Sequence, residues 1–161
     1  MDEFREGLDV VARQRQAAAA RVRLGWWVPA LAAVSWAGTA GGVFPAEGYA
    51  RLGIADLPYG QVGGLVFLAT IVVFSVRSGM NRRDVWPFAA YPSLRLRFPV
   101  FAAACLGSLV VEFGLGRFGV STGLAWAAVV VAVASGVAIA FVLRWMAAGI
   151  RGDIRAGGEG R

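Results

Sequence analysis

Ionisable residues are spaced so unevenly along this chain that the apolar runs between them define its elements. Four runs stand out: Leu24 to Ala46 (23 residues), Leu57 to Val76 (20), Phe98 to Gly116 (19, with Glu112 inside it) and Phe118 to Leu143 (26). A helix crossing the roughly 30 Å hydrocarbon core needs about 20 apolar residues, so each run is long enough for one span. The pattern predicts spans near 26–46, 58–77, 98–116 and 122–145, within a membrane domain of 26–148. Pro29 and Pro99 fall in the first turns of spans one and three, where a missing N–H costs least, and Pro45 and Pro58 bracket the first connection. The expected fold is all-α, a bundle of four transmembrane helices preceded by a cytoplasmic or interfacial helix. The first run follows 23 mostly polar residues, which is not the layout of a secretory signal.

Residues 1–25 read as that lead-in helix. Asp2, Glu3, Glu6 and Asp9 come early and Arg13, Arg15, Arg21 and Arg23 late, which complements the helix dipole. Phe4, Leu8, Val11, Arg15, Ala18 and Val22 alternate four and three apart. Such a stripe suits either the membrane surface or a partner helix, although Arg15 interrupts it. The segment 149–161, with Gly157, Gly158 and Gly160, reads as a short, frayed cytoplasmic tail. Inside the spans, small residues recur four apart: Ala33, Ala37 and Gly41, then Gly60 and Gly64, then Ala103 and Gly107, then Ala132, Gly136 and Ala140. In lipid, small faces let helices approach closely, so these stripes are the expected helix contacts.

Composition agrees with a membrane protein: of 161 residues 58% are apolar and 16% charged, with mean hydropathy +0.62. All 16 basic residues are arginine, histidine is absent and Cys105 is the single cysteine. Imidazole metal sites, Ser-His-Asp catalysis, lysine Schiff bases, P-loops and thiolate clusters are thereby excluded, and no cofactor or metal is expected. Fourteen arginines lie in the N-terminal segment, the second connection and the C-terminal end, against Arg51 and Arg117 alone in the other two connections. Positive charge resists translocation, so both termini and the second connection are placed in the cytoplasm. The net charge of +6 and pI near 11 follow from this topology and call for no nucleic acid. Trp26, Trp27, Trp126 and Trp145 sit at span ends, as interfacial anchors do, while Trp36 is mid-span.

Glu112 is the one acidic residue within a span, and an unpaired charge there costs at least about 2.5 kcal/mol. At 1.5 Å per residue it lies about 21 Å along a helix entering at Phe98, level with Thr39 and near the outer end where Gln61 falls. These three could share a polar pocket, with Arg51 or Arg117 leaning in from outside. The pocket would be either a structural carboxylate site or a proton- or cation-handling one. A second candidate is the arginine-rich second connection, where Trp86, Phe88 and Tyr91 alternate with Pro87 and Pro92 among Arg82, Arg83, Arg95 and Arg97. Rings and guanidinium groups together suit the headgroup layer of the inner leaflet, and in the sharper form a lipid phosphate or pyrophosphate site. The lone Asp84 cannot hold magnesium as clustered aspartates do. Cys105 reads as a small hydrophobe, and Ser35, Ser108 and Ser135 as interhelical hydrogen bonders.

The order "RVRLGWWVPAL" at Arg21–Leu31, then "VRSGMNRRDVWPF" at Val76–Phe88, two further spans and an arginine-bearing tail resembles small four-span membrane proteins of high-GC actinobacteria. That group starts span one with a Trp-Trp-Tyr-His-Pro-like sequence, whereas Gly25-Trp26-Trp27-Val28-Pro29 lacks the Tyr-His. The resemblance implies a fold and no reaction. The function expected is that of a non-catalytic accessory or regulatory membrane protein. It would act through anionic lipid at the inner leaflet, a membrane-protein partner or a second copy of itself. A small oligomeric transporter or channel using Glu112 and a lipid-phosphate-processing enzyme are the rivals.

Overall fold

The computed structural model describes residues 2–22, 24–42, 58–78, 91–122 and 125–156. Among them are five helices and no strand: α1 (Asp2–Arg21), α2 (Trp27–Gly41), α3 (Tyr59–Arg77), α4 (Leu94–Thr122) and α5 (Ala125–Ala156). Three segments are long and apolar enough to cross a membrane: Tyr59–Arg77, Leu94–Leu115 and Trp126–Ala156. The 15 residues of α2 reach only about 22 Å, short of the roughly 30 Å core. The rest of the expected first span, 43–46 with Pro45, and the first connection with Arg51 lie outside the described residues.

Short as it is, α2 is central. It lies between α3 and α5, and α5 in turn lies between α2 and α4. Glycine makes the α2–α3 contact. A Cβ at Gly63 would stand 2.6 Å from the Thr39 amide nitrogen and 2.7 Å from the Ser35 carbonyl oxygen, and Gly60 meets Gly42 backbone to backbone. On the other side of α2, Gly136 of α5 faces Ala33 and Ala37: a Cβ there would run into the Ala33 carbonyl oxygen and stand 3.3 Å from the Ala37 Cβ. The stripes at Ala33/Ala37, Gly60 and Gly136 thus mark real crossings. Two others do not. A Cβ at Gly64 or Gly107 would meet nothing within 4 Å, and Ala103 is exposed. On α3 the close approach uses Gly60 and Gly63, three apart. On α4 the inward residues are Phe101, Ala104, Cys105 and Leu109, so that helix meets the core through side chains rather than through Gly107.

The inner face of α5 is a row at three- and four-residue intervals: Ala128, Ala132, Gly136, Ile139, Leu143, Met146 and Ile150 are all buried. Between them Val129, Val130, Val133, Val137 and Phe141 are exposed, the outer surface that a hydrocarbon solvent accepts.

Three boundaries differ from expectation, the first being that α4 runs to Thr122 where span three was expected to end at 116. Helix α4 begins at Leu94 and not at residue 98, which brings Arg95 and Arg97 into it and puts Pro99 inside the helix. Pro99 therefore removes one rung of the ladder instead of occupying a first turn. Helix α5 runs to Ala156 where fraying was expected from Gly149. Its 32 residues span about 48 Å, so about 12 of them overrun a 30 Å core. The overrun persists because it is packed: Ala147 and Ile150 are buried, and so are Ala19 and Val22 at the end of α1, which docks on α5. Packing rather than propensity holds most helices together.

Candidate functional site

The first candidate is a column of side chains on α2, α3 and α4. The Trp36 indole N–H donates to the Ser108 hydroxyl at 3.0 Å, and Ser108 donates to the Cys105 carbonyl at 2.9 Å. The Trp36 ring rests on Phe67 at 4.6 Å between centroids, and Phe67 stacks on Phe101 at 6.4 Å. One layer of rings and one interhelical hydrogen bond thereby join three helices. One turn beyond Ser108, on the same face of α4, stands Glu112. It is fully enclosed at 0% exposure, and neither carboxyl oxygen has a hydrogen-bond partner among the described residues.

The expected companions of Glu112 are placed elsewhere. The Thr39 hydroxyl turns back to the Ser35 carbonyl of its own helix at 2.8 Å, and Gln61 is exposed. No hydrogen bond among the described residues brings either to the carboxylate. Arg51 and the Arg117 side chain lie outside the described residues. What the fold does set one turn from Glu112 is Ser108, which accepts the Trp36 hydrogen bond, legible in advance only as a mid-span tryptophan and a serine four residues before the acid.

The second candidate is the end of the helices where α3 stops and α4 begins. Tyr91 is buried, and its hydroxyl donates to the Ser78 carbonyl at 3.3 Å, fastening the end of α3 to the entry of α4. The Arg97 guanidinium lies 4.7 Å over the Trp145 ring and donates to the Trp145 and Met146 carbonyls. Gly149 is buried beneath it. Both residues, expected at the lipid headgroups, are thus engaged in joining helices. Arg95 is exposed, while Arg82, Arg83 and Trp86 lie outside the described residues. On the α2–α3 side, Arg77 lies 5.6 Å over the Trp27 ring.

Asp153 was not singled out by the sequence. Its carboxylate accepts the Ser93 backbone N–H at 3.0 Å, which sets a negative charge at the positive end of the α4 dipole. An acid flanked by Arg151 and Arg155 was the available signal. The Ser93 hydroxyl beside it is buried with no partner among the described residues. No group of three or more His, Cys, Asp or Glu side chains among the described residues could hold a metal ion. No family model matches the chain, and neither does any curated protein or solved structure.

Proposed function

We propose that this chain is a four-span membrane protein of the small actinobacterial kind that its layout resembles. Both termini face the cytoplasm of a bacterial inner membrane, and α2 supplies the first span. In this reading it is a non-catalytic accessory or regulatory protein whose contact element is α1. One observation carries this: every described side chain from Glu6 to Ala18 is exposed, and among the described residues burial begins only at Ala19 and at Val22, just past the end of α1. A helix standing clear of its neighbours is marginal in water. Leu8 at 55% and Val11 at 41% exposure leave its apolar stripe open to a lipid surface or a partner.

A photo-crosslinking residue in place of Leu8, activated in native membranes, tests the reading. A reproducible adduct to one membrane protein or to phospholipid, lost on adding Val11→Asp, is expected. An α1 that forms no adduct, or whose adducts ignore Val11→Asp, contradicts it.

A second reading has one observation in its favour, the enclosed and unpartnered Glu112. There the chain is an oligomeric transporter for protons or cations. Glu112→Gln keeps the shape of the side chain, so it should fold normally and abolish flux in liposomes. Wild-type liposomes without flux across a panel of cations end this reading.

A further inference from the structure

Where α1 ends and the chain turns into α2, a cavity of about 470 Å³ opens between α1 and α5, lined by Gln16, Ala19, Ala20, Leu24, Arg151 and Arg155. Its size is that of small-ligand sites. Arg151 and Arg155, one turn apart, share a face of the α5 overrun. Neither forms an ion pair or hydrogen bond among the described residues. Two guanidinium groups with no anion among the described residues, beside a neutral amide from Gln16, form a donor set matched to phosphate oxygens.

The place of the cavity narrows its ligand. Leu24 in the lining is two residues before Trp26, which is 77% exposed, and exposed tryptophan at a helix end marks the headgroup layer. Small alanines on α1 hold the gap open, and Leu24 gives it an apolar wall for the glycerol side of a headgroup.

We propose that this cavity is a phosphate site. Arg151 and Arg155 hold the phosphate of an anionic phospholipid headgroup or of a soluble phosphate ester, with Gln16 hydrogen bonding to it. The site deepens the reading of α1 as the contact element, since an anion held there ties α1 to α5. Binding is measured on the purified full-length protein, so it stands or falls separately from the crosslinking result.

The test is native mass spectrometry from nanodiscs of mixed phosphatidylglycerol and phosphatidylcholine, with a parallel melt in detergent with and without glycerol 1-phosphate. The wild type should retain phosphatidylglycerol selectively. Retention should weaken about fivefold for each arginine removed in Arg151→Gln and Arg155→Gln, and stay unchanged in Arg144→Gln, an exposed arginine outside the cavity. Stabilisation by glycerol 1-phosphate without lipid retention, lost in the double variant, identifies a soluble ester as the source and still supports the site. Should the double variant fail to fold, the exposed Arg155→Gln alone carries the fivefold expectation. A wild type that neither retains the lipid nor responds to the ester overturns the proposal. So does a folded double variant that behaves as the wild type does.

Discussion

Gly63→Ala puts the close approach of α2 and α3 to a quantitative test. The added Cβ would lie 2.6 Å from the Thr39 nitrogen, 2.7 Å from the Ser35 oxygen and 2.8 Å from the Gly38 carbonyl carbon. Carbon contacts are favourable only from about 3.5 Å. All three neighbours are backbone and cannot swing aside, so the helices must part by roughly 0.8 Å along the contact. Overpacking of this kind costs about 1–3 kcal/mol. Alanine in a helix recovers about 1 kcal/mol over glycine in propensity. Gly64→Ala collects the same propensity without the clash, because a Cβ there meets nothing within 4 Å. The difference between the two variants isolates the contact: about 1–3 kcal/mol, or about 5- to 150-fold in the unfolding constant. Unfolding by SDS titration in mixed micelles, followed by tryptophan fluorescence, reads it directly. Equal stabilities of the two variants, or a less stable Gly64→Ala, would refute the crossing.

Other outcomes follow from single contacts. Trp36→Phe and Ser108→Ala each lose the 3.0 Å interhelical hydrogen bond and should cost about 0.5–1.5 kcal/mol, with a coupling near 0.6 kcal/mol in the double-mutant cycle; a coupling of zero removes the bond from the account. Asp153→Ala strips the charge from the start of α4 and should cost about 1 kcal/mol in the same titration, less at high salt. Glu112→Met removes two buried oxygens with no partner among the described residues, so stability should hold or rise. A loss above about 3 kcal/mol would show a paired charge instead.

Much of the architecture could be read from charge spacing alone, because water-to-hydrocarbon transfer penalises any ionisable residue in a span. What the sequence hid was direction and ending. Helix α5 is apolar all round its membrane portion, so no periodicity distinguishes Ile139 and Leu143, which are buried, from Val133 and Val137, which are exposed. In lipid both faces are equally content, and only the small residues carry information, of which Gly64 and Gly107 were misleading. The helix ends were misjudged because an arginine need not end a helix. Arg97 lies along α5 and caps carbonyls there, and its aliphatic stem is at home beside a ring. Asp153 escaped notice because its partner is 60 residues away in sequence. Glu112 was found by the energetic cost of its position, whereas its neighbours depend on the rotation of α4, which the sequence leaves open.

The number of spans, and the side on which the ends lie, is the claim on which the rest depends. Three helices meet the length required, and α2 is the one that decides between three crossings and four. Gly7 and Gly152 are exposed and have open space for a side chain, so single cysteines at either, or at Gly48 in the first connection, report sidedness in a Cys105→Ala background. With an impermeant thiol reagent on intact cells, Gly48→Cys alone should be labelled, and Gly7→Cys and Gly152→Cys only after permeabilisation. Labelling of one terminus and not the other would give an odd number of crossings and contradict the four-span account; labelling of both from outside would invert it.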